Sequence, residues 1–202
     1  MTTLDPVLAE ARERLLARAK REDLITVGYD TMDCPLGPLW IAVGPRGVVA
    51  IHYGRPDSGE LARISRAYGP GVLPDRRRCD RVKIELDQYF AGRRRAFDVD
   101  VDLAPLTAFQ RRILTATARV AYGEVTTYRA VAREAGNEQA SRAAGGALGA
   151  NPIPIVVPCH RVVATDGSLG GYTGGLAAKR RLLSLERGEA RVPTGGWAPA
   201  RR

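Results

Sequence analysis

The chain has 202 residues, 45% of them hydrophobic, and a formal charge of +9, which suits a compact protein of one or two domains. No apolar run approaches the roughly 18 residues of a membrane-spanning helix, and the charged stretch Met1–Arg21 lacks the apolar centre of a secretory leader. Cys34, Cys79 and Cys159 are odd in number and show no C-x-x-C spacing, which argues against a disulfide framework or a zinc site and fits a reducing cytoplasm.

The first 21 residues read as an amphipathic helix, with Val7, Leu8, Ala11, Leu15, Leu16 and Ala19 on its apolar stripe. From Ile25 to Tyr53 short β-like runs alternate with turns at Cys34–Pro38 and Pro45–Gly47, which predicts an antiparallel meander. Helices are predicted over Gly59–Tyr68 and Asp80–Ala91, the latter with Val82, Leu86, Tyr89 and Phe90 at helical spacing. Residues Asp98–Pro105 alternate acid and aliphatic and place a boundary between two halves.

The second half changes character. Phe109, Ile113, Ala116 and Val120 mark a helix that Gly123 stops. Thr126 or Thr127 caps a helix through Ala135, and Asn137 caps another to about Ala150. Two short helices around a glycine turn predict a helix-turn-helix. Arg142, Gly145, Gly146 and Gly149 share one face of the second helix, opposite Ala140, Ala144, Ala147 and Leu148. Close helix packing explains such a glycine ridge. So does entry into a groove as narrow as the DNA minor groove, roughly 6 Å wide, with one arginine projecting.

The run Ile153-Pro154-Ile155-Val156-Val157-Pro158-Cys159-His160-Arg161 sets a thiol beside one of only two histidines. A thiol reacts as thiolate, which a base or a positive charge favours; His160 and Arg161 are placed to supply both. The bland alternative is a buried small hydrophobe next to a surface imidazole. Gly167–Gly175 is a flexible loop without the lysine of a phosphate loop. In the following helix, Leu176–Arg187, Glu186 stands among leucines and needs a partner: His160, or one of the neighbouring arginines. The chain from Glu189 reads as a disordered tail. Of 31 basic residues only Lys20, Lys83 and Lys179 are lysine. The excess attracts polyanions, although coding bias accounts equally for the arginines until they are localised.

Tyr122-Gly123-Glu124-Val125-Thr126-Thr127-Tyr128, Ser141–Leu148, Asn151–Pro154, Pro158–Val162 and Gly170–Leu176 together resemble the O6-alkylguanine-DNA alkyltransferases. The likeness is ungapped from Phe109 to Glu186 and looser over Ile25–Phe97. It implies an α+β fold: a small, ribonuclease H-like N-terminal domain of antiparallel sheet and flanking helices, then a helical domain with a winged helix-turn-helix. The expected divisions are 1–22 as a helical extension, 23–100, a linker at 101–106, 107–188 and a tail at 189–202.

The resemblance further implies direct-reversal DNA repair, a stoichiometric and irreversible transfer of a methyl or alkyl group from O6-alkylguanine to Cys159. His160 activates the thiol through a water and Glu186 orients His160. Asn151 braces the turn, and Tyr128 donates its hydroxyl to guanine N3. Arg142 replaces the extruded nucleotide, with Ala140, Ser141 and Gly145 against the DNA backbone. Leu148 and Tyr172 wall the pocket, while Val162, Thr173 and Gly174 complete it. No cofactor and no metal are expected, since Cys34, Cys79 and His52 cannot complete the zinc set of some relatives. The expected partner is double-stranded DNA carrying the lesion, bound through the minor groove by a monomer without membrane association. The range of alkyl groups, action on O4-alkylthymine and cooperative assembly on DNA stay open. Leu114 stands where many relatives have tryptophan.

Three other readings compete. A non-catalytic lesion binder of the same architecture loses the cysteine that this chain keeps. A transcription regulator carries long polar side chains on its recognition helix, where this chain has glycines. A thiol hydrolase would leave the ridge and Arg142 without purpose.

Overall fold

The computed structural model describes residues 4–189. The expectation for the tail beyond residue 189 therefore lies outside the described residues. Strands β1 (Val27–Cys34), β2 (Gly37–Gly44) and β3 (Gly47–Tyr53) form the antiparallel meander. Its turns fall at Pro35-Leu36 and Pro45-Arg46, so the first turn is three residues shorter than the Cys34–Pro38 stretch read from the sequence, with Cys34 ending β1 and Gly37 and Pro38 opening β2. Gly47 is required at the second turn. Its φ is +126°, and a Cβ there would stand 2.3 Å from the Asp100 carbonyl oxygen.

A fourth strand, β4 (Val72–Pro74), pairs parallel to β1 and completes the order β3-β2-β1-β4. Three residues hold too little periodicity to announce a strand. Both faces of the sheet are covered. Trp40, Ala42, Val49 and Ala50 pack on Ile64 of helix α2 (Ser58–Tyr68), and Leu39, Ile41, Val48 and Ile51 join the main core. Helix α3 (Arg76–Phe90) enters that core with Cys79, Val82, Leu86 and Tyr89. It begins at Arg76, not Asp80. Arginine is a good helix former, and Arg78 pairs with Asp75 at 3.4 Å while Arg76 faces Asp80 at 3.8 Å.

Helix α1 (Leu4–Arg21) forms, but among its described side chains Leu8 and Leu15 are each 62% exposed and only Ala19 is buried. The acid–aliphatic segment after α3 is laid beside β3. Val48 donates to Asp100 O and accepts from Asp102 N, both at 2.8 Å, and Arg46 grips buried Asp102 at 2.9 Å. The edge of the sheet is thereby covered.

Helix α4 (Ala108–Ala118) opens with a complete capping box between Thr107 and Gln110. Helix α5 (Tyr128–Glu134) is capped by Thr127, whose hydroxyl accepts from Ala130 N at 3.1 Å. Asn137 caps only a 3₁₀ turn, Glu138–Ala140, and helix α6 starts afresh at Ser141 and ends at Gly149. The predicted second helix is thus shorter at its start. Helices α5 and α6 make the helix-turn-helix. Strand β5 (Thr126–Thr127) pairs parallel with β6 (Val162–Val163), and helix α7 (Gly175–Glu186) closes the fold. One apolar cluster runs through both halves, from Leu39 and Leu86 to Ile113, Leu148, Cys159 and Leu182. Among the described residues no helix is long and apolar enough to cross a membrane.

Candidate active site

The segment from Asn151 to Val163 is irregular, buried and tightly tied. Asn151 Nδ2 donates to Val157 O at 2.9 Å and to Cys159 Sγ at 3.1 Å, and Asn151 Oδ1 accepts from Ile153 N at 3.0 Å. One amide side chain therefore closes the turn and touches the sulfur. Ile155 sits inside this turn at φ +74°, fully buried. A β-branched residue there is a true outlier, held by its surroundings at a cost of about 1–3 kcal/mol. The turn also docks on the sheet, where Ile51 N donates to Pro152 O at 2.8 Å.

Cys159, His160 and Arg161 form a short 3₁₀ turn. Cys159 is 5% exposed and His160 is fully buried. His160 Nε2 lies 2.8 Å from Glu186 Oε1. Burial pushes the Glu186 carboxyl up, but hydrogen bonds from His160 and Arg161 outweigh it and hold the group at about 2. An ionised carboxylate only accepts, so the imidazole proton is assigned to Nε2. Nδ1 then carries the free lone pair, and it has no hydrogen-bond partner among the described residues. Burial lowers the His160 pKa against the pull of Glu186, so the ring is neutral. A neutral imidazole with an unused acceptor nitrogen is ready to take a proton.

Glu186 collects more donors than the sequence suggested. Arg161 Nε and Nη2 reach it at 2.9 Å and 2.8 Å, Tyr89 Oη at 2.6 Å and Gly123 N at 3.1 Å. Of the partners weighed from the sequence, His160 is present; the arginine that pairs with Glu186 is Arg161, 25 positions away, and not one of its neighbours along the helix. Arg161 supplies no charge to the thiol, contrary to expectation. Its guanidinium is spent on Glu186 and on Val120 O at 2.6 Å, and compensating the carboxylate is what lets His160 remain neutral.

The thiol is also less primed than expected. Burial pushes Cys159 up to about 11, against lowering contributions from Asn151 and Lys179. At neutral pH the resting sulfur keeps its proton, and a base must remove it as reaction proceeds. Lys179 is a site residue that sequence reasoning misses. It is fully buried and donates to Val162 O at 2.6 Å, to Leu169 O, and to Gly171 O at 3.4 Å. Its ammonium lies 6.0 Å from the Tyr128 ring centroid. The available signal was compositional: one of three lysines in an arginine-rich chain.

A cavity of about 530 Å³ is lined by Tyr128, Gly145, Leu148, Gly149, Cys159, Gly170, Gly171, Tyr172 and Thr173, a size suited to a small planar ligand. Gly170 is obligatory in its wall, since φ is +62° and a Cβ would stand 2.5 Å from Tyr128 Oη. Burial raises the Tyr128 pKa, which keeps that hydroxyl protonated. A larger cleft of about 870 Å³ carries Arg46, His52 and Arg63 but not the thiol. Arg46 and Arg63 are paired with Asp102 and Glu60, so the smaller cavity is the candidate site.

Two residues assigned to the pocket fall outside its lining. Val162 is fully buried with its carbonyl occupied by Lys179. Gly174 backs onto Tyr53 and Tyr172, where a Cβ would come within 2.6 Å and 2.9 Å of the rings. Thr173 lines the cavity and donates to Gly149 O at 3.2 Å. On α6, Ala144, Ala147 and Leu148 are buried while Arg142, Gly146 and Gly149 are exposed and Gly145 is half-buried. The ridge is therefore an outer surface, not a packing face. Ala140 and Ser141, half-buried, stand at its start.

Residues 27–103 match the ribonuclease-like domain of 6-O-methylguanine DNA methyltransferase, and residues 108–188 match that family's DNA binding domain. The methylated-DNA–protein-cysteine methyltransferase of Mycobacterium tuberculosis is 39% identical over 81% of this chain and 94% of its own length. The inducible enzyme of that name in Bacillus subtilis is 37% identical over 73% and 83%. The crystal structure of Mycobacterium tuberculosis OGT in complex with DNA superposes with a TM-score of 0.71 at 38% identity, over 81% of this chain and 94% of that one. With these likenesses over most of its length, the chain belongs to the methylated-DNA–protein-cysteine methyltransferase family.

Proposed function

We propose that this protein repairs alkylated DNA by direct reversal, moving a methyl or other alkyl group from guanine O6 to Cys159 Sγ. The transfer is irreversible and occurs once per molecule, without a cofactor. The observation that carries this reading is the opening of the Cys159 sulfur onto the 530 Å³ cavity beside a neutral imidazole whose Nδ1 is unpaired. Nucleophile, base and orienting carboxylate are in order.

In the reaction, His160 Nδ1 takes the thiol proton through a water while Glu186 holds Nε2 and steadies the imidazolium. The sulfur attacks the alkyl carbon, the S–C bond forms and the C–O6 bond breaks. The electron pair leaves with guanine, and Tyr128 donates its proton to N3, so the base departs without full negative charge. Asn151 steadies Sγ, while Leu148 and Tyr172 flank the base and Thr173 offers its backbone amide to the guanine edge.

Reaching O6 requires the nucleotide to leave the stack. The exposed glycine ridge of α6 fits the minor groove of double-stranded DNA, with Arg142 filling the vacated place and Ala140, Ser141 and Gly145 against the backbone. The Mycobacterium tuberculosis relative crystallised with DNA supports DNA as partner. Intact-mass spectrometry after incubation with an oligonucleotide bearing O6-methylguanine tests the reading. The expected result is a gain of one methyl group on the peptide holding Cys159, absent in Cys159→Ala. Binding without that gain would mean a lesion binder and not a transferase.

A further inference from the structure

Tyr172, one wall of the cavity, is held from outside the helical half. Its hydroxyl lies 2.8 Å from the hydroxyl of Tyr53, the last residue of β3, and the two rings meet edge-on with centroids 6.1 Å apart. The Tyr172 ring also stands edge-on to His160, with centroids 6.2 Å apart. Gly174 leaves the room this pair needs, since any Cβ there would collide with both tyrosines. Burial raises both phenol pKa values, so both hydroxyls are protonated and one donates to the other. Neither hydroxyl has another hydrogen-bond partner among the described residues.

We infer that Tyr53 is a positioning residue that sets the size of alkyl group accepted at O6, by pinning the Tyr172 ring at the distance a small substituent requires. This rests on the alkyl-transfer reading and extends it, because it gives the N-terminal sheet a part in substrate selection. The physical reason is local. Tyr172 follows a glycine-rich loop whose backbone offers little resistance to movement, and its ring is otherwise fixed by edge contacts and the packing of its neighbours. The hydroxyl–hydroxyl hydrogen bond, in a half-buried site, is directional and short-ranged. Once it is cut, the ring can tilt away from the cavity and a wider substituent fits.

The test compares single-turnover rates on duplexes carrying O6-methylguanine or O6-benzylguanine, for the wild type, Tyr53→Phe, Tyr172→Phe and the double variant. Phenylalanine keeps each ring and removes only the bond. The benzyl-to-methyl rate ratio is expected to rise about fivefold in Tyr53→Phe, the equivalent of one neutral hydrogen bond. Tyr172→Phe is expected to match it, and the double variant to add nothing further. A purely structural role would slow both substrates alike and leave the ratio within twofold of wild type, which overturns the inference. A shift in Tyr172→Phe that Tyr53→Phe does not share overturns it as well. Failure of the wild type to methylate itself on either duplex would instead sink the alkyl-transfer reading, so the two failures are distinguishable. Thermal midpoints of all four proteins identify any variant that slows because it is unfolding.

Discussion

Tyr89 Oη donates to Glu186 Oε1 at 2.6 Å across 97 positions of sequence, and the same oxygen accepts from His160 Nε2 at 2.8 Å. A phenol from the sheet half thus completes the carboxylate that orients the imidazole. Hydrogen bonds to charged groups contribute about 1.5–3 kcal/mol. Tyr89→Phe is expected to lower the unfolding free energy by that amount, read from urea denaturation with an unchanged m-value. A loss below about 0.5 kcal/mol would mean that the remaining donors satisfy Glu186 unaided.

Removing the charge itself is more severe. Glu186→Gln leaves the Arg161 guanidinium, only 7% exposed, without a counter-ion. Breaking one side of a buried pair costs about 3–5 kcal/mol. Denaturant titration is expected to show that loss, together with slower alkyl transfer by the fraction that stays folded. Wild-type stability in this variant would contradict the buried pairing described above.

The site also shapes stability against pH. Glu186 and His160 have pKa values below those of the unfolded chain, whose ordinary values are 4.5 and 6.5. The stability they contribute is present above those values and declines as pH falls, first below about 6.5 and again from about 4.5 towards 2. Cys159 and Cys79 are shifted the other way, from 9.0 to about 11 and about 12. Their contribution is complete below pH 9 and declines as pH rises through those higher values. Thermal midpoints across pH should therefore form a plateau from about 7 to 9. Removing the acceptor thiol by Cys159→Ala should soften the alkaline edge and leave the acid edge alone.

Arg142 is exposed and makes no salt bridge among the described residues. Arg142→Ala is expected to leave the reaction with free O6-benzylguanine near wild type. Repair within duplex DNA should slow on the order of 10–100-fold, in line with the few kcal/mol that base extrusion costs. Equal losses on the two substrates would count against an extrusion role.

Gly146 gives an independent check on the outward ridge. A Cβ at this position meets nothing within 4 Å, so Gly146→Ala should stabilise α6 by up to about 1 kcal/mol. The added methyl nevertheless projects from the face assigned to DNA. A higher thermal midpoint with weaker duplex binding is the expected pairing; unchanged affinity would move the DNA interface elsewhere.

What could be read from residues alone was whatever is local. Cys159 and His160 are neighbours, the ridge of α6 follows from helical spacing, and Glu186 stood out as a carboxylate among leucines. The meander was legible because its turns are spelled in proline and glycine. Lys179, Tyr89 and Tyr53 were not legible as site residues, because their partners lie on other elements and no periodicity encodes a contact 97 or 119 positions away. Arg161 was misjudged for a related reason. Adjacency to the thiol in sequence implied adjacency in space, whereas the 3₁₀ turn aims the guanidinium at Glu186. Strand β4 escaped because three residues on a sheet edge leave no pattern.

The hydrogen bond from Ile51 to Pro152 joins a strand outside the lining of the cavity to the turn that presents the sulfur. The two recognisable segments of the chain are therefore not interchangeable cassettes. Grafting the helical half onto a foreign sheet would abandon the anchor of its most contorted loop, and the strained Ile155 with it. Such a chimera would need a matching strand end, not merely a compatible surface, to keep its acceptor in place.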